Sequence, residues 1–272
     1  LRKKYLVTCH GIPVNPKMFS LPARAFFYLY LSTVSRIVVK NAIALTTVSS
    51  SLRKECLSRK LVNKKMYVIP NGTNNSLTDL NHGAVELVEK QFGLEGKYVI
   101  FALGRLSENK GFQYLIKAMR NVLVVLPNAV AIIAGSGPYK EQLQKIIINE
   151  GLSGNVKLVG WVSEADKTAL YKRSDVVVFP SVNEPFGMVM LEALQMQKPL
   201  IAFDTETARE VLSDESAILV AVGDASEMGN AIIRVATSPD LKNKLVRAKY
   251  ASSKYSWSRI VKEYVEVYVG SK

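Results

Sequence analysis

The 272-residue sequence predicts an α/β chain in which one complete doubly wound domain follows part of another. Three observations carry that expectation. From Lys97 onward, short runs rich in Val, Ile, Ala and Phe alternate with amphipathic helical patterns, the signature of βαβ units with right-handed crossovers. Those runs are apolar nearly throughout, as parallel strands covered on both faces require. A shorter version of the pattern precedes them, and the turn Pro70-Asn71-Gly72 separates the two.

The expected strands of the complete domain are Tyr98–Leu103, Ala129–Ala134, Val156–Val159, Val176–Phe179, Leu200–Phe203 and Ala217–Val220. Between them lie helical patterns at Gly111–Leu126, Tyr139–Asn149, Glu164–Lys172, Met188–Met196 and Glu227–Ala236. In the first quarter the expected order is a strand at Tyr5–Thr8, a helical stretch to about Lys40 and a strand at Ala44–Val48. A serine-capped helix at Ser49–Arg59 and a strand at Met66–Ile69 follow. The domain expectation is a partial N-terminal domain at 1–72, a linker at 73–96, a complete domain at 97–254 and a terminal helix at 255–272. In that helix Ile260, Val261, Tyr264, Val265 and Tyr268 repeat at helical spacing, suited to packing back toward the first domain.

Charge is unevenly spread. Residues 1–70 hold 13 Lys or Arg against one acid, Glu55, a net +12, whereas the other 202 residues are near neutrality at +1. Such a bias fits an anionic partner (nucleic acid, acidic lipid or a phosphorylated substrate) or a solvated basic face. Phe26, Phe27, Tyr28, Leu29, Tyr30 and Leu31 lie between Arg24 and Arg36, a mixture that suits a membrane surface or a buried helix. No nucleic-acid reading motif accompanies the basic residues, so a nucleic-acid partner is not expected. The longest early apolar run, Ala25–Leu31, is far short of the roughly 20 residues of a membrane span. Cys9 and Cys56 are expected as reduced thiols, and with only His10 and His82 beside them no metal site is expected. Ser-His-Asp, HExxH and Walker patterns do not occur, which removes the usual hydrolase and kinase arguments.

Four segments sit where an expected strand ends. Glu184-Pro-Phe-Gly-Met-Val-Met-Leu-Glu192 opens a helix whose first amides, from Phe186 through Gly187 and Met188 to Val189, favour phosphate oxygens. Glu184 precedes that helix and can accept from sugar hydroxyls; Glu192, inside it, can accept from a ribose. Gly104-Arg105-Leu106-Ser107-Glu108-Asn109-Lys110-Gly111 joins strand to helix, and Arg105 and Lys110 can converge on one anion. Alone it reads more readily as an ordinary basic loop, but two phosphate-favouring loops on one rim argue for a shared ligand. Ala134-Gly135-Ser136-Gly137-Pro138 lacks the third glycine of the dinucleotide fingerprint and is expected to be a tight turn. His10-Gly11 follows the first strand and is placed to face a cleft.

Taken together, TCHGIP, TTVSSSLRKE, VIPNG, GRLSENKGFQYLIKA, AGSGP, VKLVGWVSEADKTALYKRSDVVVFPS and EPFGMVMLEAL resemble, in order, the retaining glycosyltransferases of the GT-B fold, family 4. The resemblance covers nearly the whole chain. It implies two Rossmann-like domains, a complete C-terminal one that binds a nucleotide-sugar donor and a partial N-terminal one on the acceptor side. It implies that Arg105 and Lys110 hold the donor diphosphate, that Glu184 contacts the transferred sugar and Glu192 the ribose, and that His10 contacts the sugar from the other lobe. Gly104, Phe186, Gly187, Met188 and Val189 line the donor site, with the base beside Gly160–Ser163 and Val162. No metal or other cofactor is implied, since cations and helix amides neutralise the leaving diphosphate.

The implied reaction moves a hexose to a saccharide or lipid-linked acceptor with retention of configuration. The implied place is the cytoplasm, peripheral on the inner membrane face. Two departures qualify the resemblance. The front part of the family's first domain is not present, so the chain is expected to be a fragment, a short form, or a subunit that binds the donor silently and needs a partner chain. After Leu200–Phe203 the family's glycine pair is replaced by Asp204-Thr205-Glu206-Thr207-Ala208-Arg209-Glu210.

Overall fold

The computed structural model describes residues 4–12, 21–73, 83–212, 215–247 and 254–270. The chain divides into two compact units, residues 1–73 with 253–272, and residues 74–252.

The first unit is built on a three-stranded parallel sheet of β1 (Val7–Cys9), β2 (Leu45–Thr47) and β3 (Met66–Val68), with β2 in the middle. The register Val7↔Leu45 and Leu45↔Met66 lines the strands up, and all of β2 is buried. Helices α1 (Leu21–Ser32) and α2 (Val34–Asn41) precede β2. Helix α3 (Ser50–Ser58) follows it, capped by the Ser49 hydroxyl, which accepts from the Leu52 amide at 3.0 Å.

The second unit begins with α4 (Gly83–Phe92) and continues β4 (Tyr98–Leu103), α5 (Phe112–Val125), β5 (Ala129–Ala134) and α6 (Lys140–Asn149). It proceeds through β6 (Val156–Gly160), α7 (Glu164–Arg173), β7 (Val176–Phe179), α8 (Met188–Gln195), β8 (Leu200–Phe203) and α9 (Glu206–Val211). Then come β9 (Ile218–Val220), α10 (Ala225–Thr237) and α11 (Pro239–Arg247). The last helix, α12 (Trp257–Val269), belongs to the first unit, where Ile260 and Val267 pack with Ala44 and Ile69. An added side chain at Gly72 would collide with the Trp257 indole, so the turn after β3 and the start of α12 fit only because that position is bare.

All six strands of the second sheet are parallel, in the order β6-β5-β4-β7-β8-β9. Alternation along each strand explains the continuous apolar runs. Ile100 and Ala102 of β4 enter one core with Phe112, Leu115 and Met119 of α5 and Ile232 of α10. Val99 and Phe101 enter the other with Leu170 of α7 and Met190 of α8. Burial on both faces therefore removes the polar half of the strand pattern. The order reverses between β4 and β7, so the loops after those two strands flank the switch point where open α/β sheets bind ligands.

The expected strands are found, Tyr98–Leu103, Ala129–Ala134, Val176–Phe179 and Leu200–Phe203 with the expected ends and the others with ends shifted by one or two residues, and the terminal helix expected within 255–272 spans Trp257–Val269. Residues 83–92, placed within the linker 73–96, instead form α4. Ala84, Val85, Val88 and Phe92 share one helical face and pack into the second unit's core. Residues 74–82 of that stretch lie outside the described residues, as do the side chains of Arg24, Phe27, Tyr28 and Leu31. No described helix is long and apolar enough to cross a membrane.

Candidate donor-binding site

The loop after β4 is held by backbone. Gly104 N–H donates to the Ala134 carbonyl at 3.0 Å and Leu106 N–H to that of Ser136 at 2.8 Å. Gly135 and Gly137 sit at φ +137° and +157°, and a Cβ on either would overlap the carbonyl oxygen of Gly104 or Leu106. The small residues of Ala134–Pro138 thus serve the close approach of this loop to the next one, beyond the tight turn expected of them.

The same loop then docks on the loop after β7. Gly111 adopts φ +70°, and a Cβ there would strike the Pro180 carbonyl oxygen. Val182 N–H donates to the Asn109 carbonyl at 2.9 Å, and the Asn109 amide donates to the Asn183 carbonyl at 3.3 Å. Across this seam the Lys110 ammonium forms an ion pair with Glu184, whose carboxylate also accepts from the Ser181 hydroxyl at 3.4 Å. The two residues are 74 positions apart in sequence. Arg105 is exposed on the same loop and forms no ion pair with any described residue.

Helix α8 begins at Gly187, at φ +86°, where no side chain caps the helix. A Cβ at Gly187 would collide with Met190 Cε and lie 3.4 Å from Glu184 Cγ. The bare turn therefore leaves the first helical amides, at Met188 and Val189, without a capping side chain beside the Lys110–Glu184 pair. Phe186 is buried and roots the turn in the unit. Thr207, buried at the start of α9, donates its hydroxyl to the Glu184 carbonyl at 2.7 Å. Glu206 and Thr207 fall within the segment expected to stand in place of a glycine pair, and Thr207 braces the loop that carries Glu184.

Glu192 is held rather than free. The Tyr171 hydroxyl donates to its Oε2 at 2.9 Å and the Lys167 ammonium to its Oε1 at 3.2 Å. Tyr171 is fully buried, and burial followed by the adjacent Glu192 charge raises its pKa well above the ordinary tyrosine value, so it stays a donor. Burial works against the charge on Lys167, but Glu164 and Glu192 outweigh it and raise its pKa. A carboxylate has about four acceptor positions, so Glu192 keeps capacity for a further donor. Nothing in the spacing of Tyr171, Lys167 or Thr207 marks them in sequence, because Tyr171 and Lys167 lie on α7 while Glu192 lies on α8, and Thr207 lies on α9 while Glu184 lies in the loop before α8.

Gly160 closes β6 at φ +78°, and its carbonyl accepts from Gly135 N–H at 2.6 Å. Val162 follows, half-buried, beside an exposed Trp161. His10 is exposed just past the carboxyl end of β1 in the first unit. The described residues thus bring Gly104, Arg105, Lys110, Glu184, Phe186, Gly187, Met188, Val189 and Glu192 to the switch-point rim, with Gly160 and Val162 on the loop after β6.

Cations and the uncapped start of a helix at the switch point of a doubly wound domain suit an anionic ligand. Residues 85–252 match the family model for glycosyl transferases group 1, well over half of the chain, and the chain belongs to that family. It is 34% identical over 278 residues to an uncharacterized glycosyltransferase of Methanocaldococcus jannaschii, covering 98% of this chain and 69% of that protein. It is 31% identical over 209 residues to a phosphatidyl-myo-inositol mannosyltransferase of Mycobacterium leprae, covering 74% of this chain but only 52% of that protein. The solved structure of Anabaena HepE with UDP-glucose matches with a TM-score of 0.85 at 23% identity, over 99% of this chain and 73% of that one. That likeness shows the fold, the α/β arrangement of GT-B glycosyltransferases.

Proposed function

We propose that the chain is a family 4 hexosyltransferase that takes its sugar from a nucleotide diphosphate donor and retains the anomeric configuration. The observation that carries this reading is the Lys110–Glu184 pair at the switch point, bordered by the uncapped start of α8. An ammonium has three N–H donors. Glu184 takes one and orients the others toward the rim, where a donor diphosphate completes the set together with Arg105 and the amides of Met188 and Val189. Once the phosphate shares Lys110, Glu184 has acceptor positions for hydroxyls of the transferred sugar. Glu192, fixed by Tyr171 and Lys167, takes the ribose, and the loop of Gly160 and Val162 takes the base.

In the transfer step the bond between the anomeric carbon and the phosphate oxygen breaks, and charge collects on the departing diphosphate. Lys110, Arg105 and the helix amides stabilise that charge without a metal ion. The acceptor hydroxyl bonds to the same face of the sugar, and its proton passes to the departing phosphate oxygen. His10 is assigned to the transferred sugar through the resemblance. The acceptor is a saccharide or a lipid-linked glycan presented at a membrane surface. In support, described residues of α1 and α2 expose Phe26, Leu29, Tyr30, Val34, Ile37 and Val38 within the strongly basic first 70 residues.

The test is release of nucleoside diphosphate from a panel of nucleotide sugars, in EDTA, by the chain and by Lys110→Ala. We expect release from at least one donor and a fall of about 10²–10³-fold in the variant, the usual cost of removing one preorganised donor to a developing anion. An unchanged rate in the variant removes Lys110 from the site. Dependence on an added divalent ion contradicts the metal-free mechanism, and binding without release contradicts transfer by this chain alone.

A further inference from the structure

Trp161 belongs to neither core of the second unit. It lies on the loop after β6 and is 77% exposed, more than any other aromatic side chain among the described residues. Its neighbours are fixed on both sides. The Gly160 carbonyl accepts from Gly135 N–H at 2.6 Å, and Val162 packs against the core that contains Leu170 and Met190. Ser163 then caps α7, its hydroxyl accepting from the Asp166 amide at 3.1 Å. A backbone held in this way presents the indole to solvent from a fixed loop. The loop borders open space, since a Cβ added at Gly160 would meet no described atom within 4 Å.

Single exposed apolar residues are ordinary, so the place of this one matters more than its exposure. Backbone hydrogen bonds tie the loops after β4, β5 and β6 into a row: Gly104 N–H to the Ala134 carbonyl, Leu106 N–H to Ser136 and Gly135 N–H to Gly160. Trp161 therefore stands on the same rim as Arg105 and Lys110. Helix α7, which starts just after this loop, supplies both groups that hold Glu192. Its first residue, Glu164, pairs with Lys167 at 2.8 Å, and Lys167 reaches Glu192 at 3.2 Å. The indole is thus one short loop away from the acid assigned to the ribose.

We propose that Trp161 is the stacking platform for the base of the donor nucleotide, its indole face covering a purine or pyrimidine whose ribose is held at Glu192. This rests on the donor-site reading given above and adds the side chain that supplies affinity for the base. A tryptophan has only two side-chain torsions, so holding it against a ligand costs little conformational entropy. Every base has a π-face, so the indole accepts uracil, guanine and adenine alike, and the choice among them falls to hydrogen bonds made elsewhere.

The test uses the full chain, which contains two tryptophans. The other, Trp257, lies in the first unit against Gly72, so Trp257→Phe leaves Trp161 as the sole indole fluorophore. Titration of that variant with UDP, GDP and ADP should quench its emission with the midpoint that calorimetry gives. Trp161→Phe, which keeps only Trp257, should show no quenching. Trp161→Ala should bind each of the responding nucleotides about tenfold or more weakly, and Trp161→Phe within about threefold of the native chain. Inorganic pyrophosphate, which has no base, should bind Trp161→Ala and the native chain equally. Native nucleotide affinity in Trp161→Ala, with Lys110→Ala still weakened, would overturn the stacking assignment and leave the donor reading standing. Equal weakening for pyrophosphate would also overturn it, by showing that Trp161 acts on the shape of the site. Failure of every nucleotide to bind the native chain would overturn both.

Discussion

Lys110 and Glu184 form an ion pair only because other residues force two loops together. Gly111 is the clearest of these, since its φ of +70° and its contact with the Pro180 carbonyl both exclude a side chain. Gly111→Ala should therefore destabilise the second unit by on the order of 2–3 kcal/mol, combining left-handed strain with overpacking. Denaturant unfolding of the two proteins measures it, and a change under ~0.5 kcal/mol would show that the seam tolerates displacement. Glu192 presents a similar case, because its geometry depends on a buried phenol. Tyr171→Phe leaves the ring packed edge-on against Phe101, with centroids 5.0 Å apart, but deletes the donor to the acid. The expected outcome is a higher KM for the donor with kcat nearly unchanged, as a ribose contact made equally in ground and transition states requires. A fall in kcat alone would place Glu192 in the chemistry instead.

At the level of elements, α9 stands directly behind the loop that carries Glu184. Its Thr205 caps it through the Ala208 amide at 3.1 Å, and Thr207 then reaches the Glu184 carbonyl. Thr207→Val keeps the shape and removes that donor, so we expect a loss of about 1 kcal/mol in stability and weaker nucleoside diphosphate binding. Calorimetry on the variant checks it, and wild-type affinity would mean that Glu184 needs no brace. The elements themselves were largely legible, since strands buried on both faces leave long apolar runs and a cap such as Ser49 marks a helix start. Three helices were not. Helix α4 was hidden because its apolar face is short and follows a polar stretch, α9 because it has only six residues, and α11 because its pattern is mostly polar. The two phosphate-favouring loops could be read from Glu184–Glu192 and Gly104–Gly111, but their direct contact could not. Strand order decides which loops are neighbours, and no local pattern states that β4 lies beside β7.

Over the whole molecule, the charge bias and the exposed side chains of α1 and α2 belong to the first unit, whereas the switch-point rim belongs to the second. If the basic, apolar face meets a membrane, the chain should co-sediment with vesicles containing anionic lipid and not with neutral ones. Binding should weaken at high salt as the Debye length shrinks from about 10 Å at 0.1 M to about 3 Å at 1 M. Equal retention on neutral vesicles would reject the electrostatic part of that reading. The proposed diphosphate site, the seam at the switch point, lies in the second unit alone. Calorimetric titration with UDP, GDP and ADP, comparing the chain with Lys110→Ala, addresses it most directly. We expect one site for at least one of these nucleotides and roughly tenfold or greater weakening in the variant, as loss of a charge-assisted hydrogen bond implies. Equal affinity in the two proteins would contradict it.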